Sequence, residues 1–474
     1  MDRRAFLQTT TVGTLVGGLR QAATAAVAPQ WNVLFVLMDD LGWRDLGSYG
    51  NRFIDTPNIN RFAEQSVRFT KAYAACPVCS PTRASIMTGK YPARLHLTDW
   101  IPGRKQWPTA KLLVPKFNQS LPSTDRTIAE ALSPRGYRTA AIGKWHMGGE
   151  GHLPTDRGFG KNIAGTAAGS PPTYFGPLEL PGLTLKPGEF LTQRLSDEGN
   201  RFMGADKHTP FFLYQAHFTV HIPLQAREEV IAKYRKRDTG DVNPVYCAMV
   251  ESADDSMGQL LKALDDSGQA DNTIVIFFSD NGAVRYQAKQ TKPISNNAPL
   301  RAGKGHLFEG GIREPLIIRW PGITRPRTVI DEPVSSIDFF PTICEAADVP
   351  AGPVDGRSLL PILRGRRVAQ RPLFWHYPHY SDQGGRPAGA VREGDWKLIE
   401  FYEDGRLELF YLVNDPGEQR NLIRTEAARA KKLHALLADW RRTVDAAMPS
   451  PNPQYDAATS SEGLTGNESP TPPV

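Results

Sequence analysis

The chain has 474 residues, 40% of them hydrophobic and 22% charged, a composition that fits a globular protein with a large core and excludes a disordered chain. No apolar run approaches the roughly eighteen residues needed to cross a bilayer, so no transmembrane segment is expected. The net charge is only +6, without a long Lys/Arg block, which speaks against nucleic acid as a partner. It leaves a mild pull on anionic substrates over about one Debye length, roughly 8 Å at physiological salt.

In chain order, Asp2-Arg3-Arg4-Ala5-Phe6-Leu7-Gln8 precedes a weakly apolar stretch, Thr9 to Leu19, and then Ala22-Ala23-Thr24-Ala25-Ala26. A basic start, an apolar centre and an A-x-A site make an export signal over residues 1–25. Its paired arginines resemble the twin-arginine type, which is read by machinery that exports folded proteins. The mature protein is thus expected in the periplasm or outside the cell. Residues 26–370 are expected to form the main domain, in which apolar runs alternate with helical stretches through residue 345 or so: Asn32 to Met38, Arg138 to Gly143, Pro210 to Tyr214 and Thr273 to Phe278. Strands apolar on both faces and separated by helices predict an α/β fold, a large central, mostly parallel sheet sandwiched by helices. Residues 100–123 and 158–188 are dense in Pro and Gly and are expected to be long loops over one end of that sheet. Over residues 371–448 the alternation in Trp396 to Phe401 and Leu407 to Tyr411 predicts a smaller C-terminal α+β subdomain with an antiparallel sheet. Ala427 to Thr443 reads as a packed surface helix. Residues 449–474 are rich in Pro, Ser, Thr and Gly and are expected to be a disordered tail.

Four cysteines, Cys76, Cys79, Cys247 and Cys344, are too few for a disulfide framework, although export leaves a Cys247–Cys344 pair open. Cys76-Pro77-Val78-Cys79 has redox or half-zinc spacing, but no second such pair completes a zinc site. The stronger signal is positional. The buried strands end in polar residues: Asp39-Asp40, Lys144-Trp145-His146, His217 with His221, and Asp280-Asn281. Ligands of open parallel sheets bind outside the carboxyl ends of the strands, so four segments deliver this chemistry to one edge. Alone, Asp39-Asp40 reads equally as a helix cap, Asp280-Asn281-Gly282 as a turn, His146 or His221 as a structural histidine, and Lys144 or Lys304 as a solvated cation.

The segments Asn32–Gly42 (NVLFVLMDDLG), Cys79–Pro92 (CSPTRASIMTGKYP), Gly136–Gly148 (GYRTAAIGKWHMG), Thr273–Gly282 (TIVIFFSDNG) and Lys304–Arg313 (KGHLFEGGIR) resemble the sulfatase family of the alkaline-phosphatase superfamily over essentially the whole mature chain. The C-x-P-x-R core followed by Thr-Gly is highly specific. The resemblance implies that a maturase oxidises Cys79 to formylglycine before folding. The hydrated aldehyde carries two hydroxyls on one carbon: one attacks sulfur, and the other loses its proton to expel sulfate. Pro81 suits the first turn of a helix, which sets Cys79 at a helix start that favours an anion. Asp39, Asp40, Asp280 and Asn281, with the matured Cys79, form an oxygen-rich set that suits one Ca2+. By resemblance Arg83, Lys144 and Lys304 stabilise the formylglycine hydroxyls and the sulfuryl oxygens, and His146 assists release. His221 protonates the leaving group, although the residue before it, usually proline, is Val220 here and leaves His217 as a competitor.

For the substrate, Asp99 and Trp100 make one expected rim, and His379 and Arg386, with Trp375 or Tyr377 for stacking, make a second. A sulfated sugar such as a galactose or N-acetylgalactosamine sulfate is the expected substrate. Two other readings stand beside this one. A phosphatase or phosphodiester hydrolase of the superfamily would use Thr or Ser and two zinc ions, whereas a non-enzymatic sulfated-glycan-binding protein would keep Cys79 as a thiol.

Overall fold

The structure is a computed structural model and describes residues 30–285 and 293–459. The export signal expected over residues 1–25 lies outside the described residues. The continuously apolar strand Asn32–Met38 sits mid-sheet, parallel to Phe211–Ala216 on one side and to Thr273–Ser279 on the other. Its side chains alternate between two cores: Leu34, Val36 and Met38 enter one, and Val33, Phe35 and Leu37 the other. Burying both faces explains the unbroken apolar run, at about 1.5–3 kcal/mol for each large side chain.

Among the described residues the sheet has nine strands. Across it lie Thr328–Ile330, Val67–Tyr73, Arg313–Arg319, Thr273–Ser279, Asn32–Met38, Phe211–Ala216, Arg138–Gly143 and Lys161–Ile163, with Val334–Ser335 also on Val67–Tyr73. Arg313–Arg319 runs antiparallel to both neighbours, while the remaining pairings are parallel. Helices Leu191–Gly204 and Pro244–Ser267 cover one face; Cys79–Thr88 and Phe339–Ala346 cover the other. A separate antiparallel sheet joins Leu373–Tyr377, Ala388–Glu393, Trp396–Phe401 and Leu407–Tyr411. One of its faces carries the helix Ala427–Thr443, through Leu398, Leu409, Leu433 and Leu437. The other meets Tyr73, Cys76 and Val78 of the main unit through Trp375, Ile399 and Phe410.

Three expectations need correction. Cys247 and Cys344 lie in the cores on opposite faces of the sheet and are free thiols, so they cannot pair. The tail is ordered at its start: Ser450–Pro451 pairs with Leu112–Leu113, and the Asn452 amide donates to Pro108 O and Ala110 O, both at 2.7 Å. Its loop-like composition conceals this because an edge pairing needs only a few residues; residues 460–474 lie outside the described residues. The stretch 158–188 is not all loop, since Leu178–Leu180 and Leu183–Leu185 form a small hairpin.

Candidate active site

Cys79 opens the helix Cys79–Thr88, every residue of which is buried. Pro81 is tolerated because first-turn N–H groups lack partners within a helix, and Gly89, at φ 70°, ends it in the left-handed conformation. The Thr82 hydroxyl donates to Cys76 O at 2.9 Å and ties this helix to the segment that leads into it. The Cys79 side chain is 2% exposed, and burial pushes its thiol up, with Lys144 and Lys304 opposing. A thiolate is therefore scarce at neutral pH.

Around Cys79 the strand ends converge. Asp40 takes a left-handed φ of 62°, which Asp tolerates better than most residues, and its N–H reaches Asp280 Oδ1 at 3.3 Å. Asn281 Nδ2 donates to Asp40 Oδ1 at 2.7 Å. Lys144 Nζ donates to Asp39 Oδ2 at 2.7 Å, and Lys304 Nζ lies 2.7 and 2.9 Å from the two Asp40 oxygens. Arg83 Nε donates to Asp280 Oδ2 at 2.8 Å, its Nη2 stands 2.7 Å from the same oxygen, and its Nη1 donates to Lys144 O at 2.8 Å. Burial pushes Asp40 up, but the positive charge beside it, Lys304 foremost and Lys144 with it, outweighs burial and holds the carboxyl below its usual range. Asp280 goes the other way, raised by burial and by Asp39 beside it. Two buried acceptors, Asp39 Oδ1 and Asn281 Oδ1, have no hydrogen-bond partner. Unsatisfied oxygens beside crowded carboxylates are what a hard cation needs. The expected metal-ligand set held no imidazole, yet Asp39, Asp40 and His221 offer ligand atoms within 4.8 Å of one another.

The histidines separate by their partners. His146, at a left-handed φ of 56°, places Nε2 2.6 Å from Ile101 O and Nδ1 3.2 Å from Cys79 Sγ. The carbonyl can only accept, so Nε2 carries the proton and the Nδ1 lone pair faces Cys79. Burial, reinforced by Lys144, keeps this imidazole neutral. His221 directs Nδ1 at Ile222 O, 3.0 Å away, which leaves Nε2 toward Asp40 Oδ2 at 3.7 Å. Burial and Lys304 push it down to about 3. His217, the expected competitor, is fully buried and bonded to Ser256 Oγ at 2.8 Å under the sheet. It does not join the cluster, because it belongs to the packing between the sheet and Pro244–Ser267. The peptide before Val220 is cis.

The expected rims are only partly rims. Asp99 and His379 are each 2% exposed, as buried as Cys79, and each is engaged by neighbouring groups. Asp99 accepts from Trp100 N at 2.9 Å and Tyr377 Oη at 3.0 Å, while His379 Nε2 bonds Thr98 Oγ1 at 2.8 Å. Trp375 and Tyr377, read as stacking platforms, are also buried; the Trp375 indole donates to Ala74 O at 2.8 Å. These polar-aromatic stretches fill the junction between the two sheets. Trp100 is half-buried against that junction, and Arg386 stays half-exposed, 2.7 Å from Glu403 Oε2. Sequence reasoning missed the groups that orient the histidines. Ile101 O and Thr166 O, the latter accepting from His146 N at 3.0 Å, are backbone carbonyls and leave no mark in a sequence. Tyr174, whose hydroxyl donates to His221 O at 2.8 Å, stood in a stretch without periodicity.

With this geometry established, the comparisons with known proteins are direct. The family model described as sulfatase matches residues 31–349, and one described as N-sulphoglucosamine sulphohydrolase, C-terminal, matches residues 303–443. N-acetylgalactosamine-6-sulfatase of Homo sapiens is 34% identical over 380 residues, covering 74% of this chain and 69% of that protein. A sulfatase of Formosa agariphila is 30% identical over 495 residues, covering 86% and 88%. Among solved structures, Ps i-CgsB in complex with k-i-k-neocarrahexaose superimposes with a TM-score of 0.77 at 28% identity, covering 90% of this chain and 96% of the other.

Proposed function

The chain belongs to the sulfatase family and is a sulfuric ester hydrolase, and from that premise we propose that it desulfates a carbohydrate with a formylglycine made from Cys79 and one Ca2+. The observation that carries this reading is the buried Cys79 at a helix start, 3.2 Å from the unprotonated nitrogen of His146 and enclosed by Asp39, Asp40, Asp280, Arg83, Lys144 and Lys304. Its thiol, pushed up by burial, is a poor nucleophile, so Sγ marks where a hydroxyl oxygen of the matured residue would stand.

Hydrated formylglycine supplies one hydroxyl to attack sulfur and a second whose deprotonation expels sulfate. Asp39, Asp40, Asp280 and Asn281 would hold Ca2+, which supplies a Lewis acid for a sulfate oxygen and lowers the pKa of the attacking hydroxyl. The unpartnered Asp39 Oδ1 and Asn281 Oδ1 support this donor set. His146 Nδ1 is oriented to accept the hydroxyl proton, because Ile101 O fixes the proton on the other nitrogen. Lys144 and Lys304 are placed to stabilise sulfuryl oxygens, and Arg83 fixes the Asp280 carboxylate and the Lys144 backbone together. His221 is neutral in the free protein, so it can protonate a leaving group only after an anionic ester beside it raises its pKa.

A sulfated carbohydrate is favoured because one relative is an N-acetylgalactosamine-6-sulfatase and one structural neighbour holds a neocarrahexaose. Maturation would require an external maturase, and the basic start of the sequence supports twin-arginine export to the periplasm or beyond. Among the described residues, no helix is long and apolar enough to cross a membrane. The test joins the mass of the Cys79 peptide to sulfate release from defined sulfated mono- and disaccharides. Full activity from protein that retains the thiol would end this reading.

A further inference from the structure

A cavity of about 260 Å3 opens between the main unit and the second sheet, and none of the residues around Cys79 lines it. Its walls are aliphatic: Val334, Leu359, Ile362 and Leu373. Arg392, 1% exposed, also lines it; Nη2 of that side chain has no hydrogen-bond partner, and Asp395 Oδ1 lies 3.5 Å from it. Of the two acids on the lining, Asp338 is engaged by Arg371 and by the N–H groups of Ser335 and Arg357, at 2.9 and 2.8 Å, while Glu332 is exposed. At the mouth, Arg357 Nη1 reaches Ala369 O at 3.4 Å. The turn joining the lining residues Ile362 and Val368 carries Arg364, Arg366 and Arg367, all exposed. Residues 357–371 thus hold five arginines and no acidic residue, in a chain whose whole net charge is +6.

We propose that this cavity and its arginine lip form a second, non-catalytic site for a sulfated polysaccharide, an inference that rests on the carbohydrate reading of the substrate. A sulfate half-ester stays anionic at any physiological pH, and guanidinium forks match the oxygens of a tetrahedral oxyanion. Aliphatic walls suit the C–H faces of a pyranose ring. No aromatic side chain lines the cavity, so it lacks the stacking platforms on which single-stranded nucleic acid relies. Holding a polymer here raises the effective concentration of its other esters at Cys79 without touching a small substrate.

The test is affinity electrophoresis of the full chain in gels containing dextran sulfate, neutral dextran or duplex DNA. Dextran sulfate should retard the protein and neutral dextran should not. The double variant Arg366→Glu/Arg367→Glu should weaken dextran sulfate binding by about tenfold or more, and Ala369→Trp at the mouth by several-fold. Arg420→Glu/Arg424→Glu removes the same charge elsewhere and should weaken it less than twofold; equal loss in the two double variants would reduce the effect to net charge and overturn the site. DNA bound as tightly as dextran sulfate, with the same sensitivity, would overturn it in favour of nucleic acid. Release of sulfate from 4-nitrophenyl sulfate should be unchanged in these variants. Absence of sulfate release by the parent protein would defeat the catalytic reading while leaving the gel result intact.

Discussion

Lys397→Met tests whether the second sheet is electrostatically built into the catalytic unit. Lys397 Nζ lies 3.0 Å from Glu309 Oε1 and 2.9 Å from Glu418 Oε1, and all three side chains are fully buried. Glu418 Oε2 also accepts from Glu309 N at 2.6 Å, and Tyr73 donates to Glu309 Oε2 at 2.8 Å. Methionine keeps the aliphatic stem and removes the charge, leaving two carboxylates without their common cation. Breaking a buried pair in this way costs about 3–5 kcal/mol. Glu309 keeps some support from Arg313, 3.5 Å away, so the lower part of that range is expected. The pH dependence has a definite sign. In the parent, burial already raises Glu418 despite Lys397, whereas Lys397, Arg313 and Arg392 hold Glu309 down against burial. Losing Lys397 pushes both folded-state pKa values upward, and a carboxyl carried upward loses stability as pH rises toward its folded value. The gap between parent and variant should therefore widen from pH 5 to pH 8. Urea denaturation at both pH values measures it. A gap below about 1 kcal/mol, or one equal at both pH values, would refute the argument.

Four further outcomes follow from the site. Lys304→Ala should lower kcat by about 10²–10³ on a sulfate ester, as for a lost oxyanion donor, and unchanged turnover would remove Lys304 from the site. His221→Asn should cost about 10²-fold or more in kcat, while His217→Asn stays within about threefold; the reverse ranking would overturn the geometric choice between them. EDTA should abolish activity, and Ca2+ at about 100 times its Kd should raise stability by about 2.7 kcal/mol, as followed by urea denaturation; restoration by Zn2+ alone would contradict the donor set. Burial raises Asp99 from 3.8 to about 7, so its stability contribution is complete below about 3.9 and falls as pH rises through 7. Asp99→Asn keeps the acceptor oxygen for Trp100 and Tyr377 and should gain on the parent by up to about 3 kcal/mol between pH 4.5 and pH 8, and a constant difference would show that Asp99 does not titrate in that interval.

The central sheet was legible because burial on both faces writes a continuous apolar run into the sequence, as in Asn32–Met38 and Thr273–Ser279. The cluster was legible because those runs end in Asp39, Lys144 and Asp280, and parallel strands bring such ends together. Polar and aromatic residues away from strand ends were not. Asp99, Tyr377 and His379 look like sugar contacts in sequence, yet they are buried in the junction between sheets, a tertiary arrangement that leaves no period. His217 and His221 are four residues apart and indistinguishable by type. What separates them is that His217 sits one residue beyond the strand Phe211–Ala216, still bonded to Ser256 of the neighbouring helix, whereas His221 has turned out to Asp40.

The charges of the site constrain how its parts work together. Asp39, Asp40 and Asp280 are matched one for one by Lys144, Lys304 and Arg83, so the buried cluster is neutral without any ligand. A divalent cation alone would leave two uncompensated positive charges in a region of low dielectric, where such an excess is costly. A sulfate monoester brings one negative charge, and deprotonation of the attacking hydroxyl brings the second. On the proposed mechanism, balance would be recovered when cation, ester and ionised nucleophile are present together, the composition of the transition state rather than of the resting protein. The same reasoning makes cation and ester mutually tightening ligands, because coupling between two binding equilibria is reciprocal. It also gives Arg83 a role that needs no contact with substrate. By opposing the upward push of burial and of Asp39 on Asp280, it favours the carboxylate form that the cation would bind.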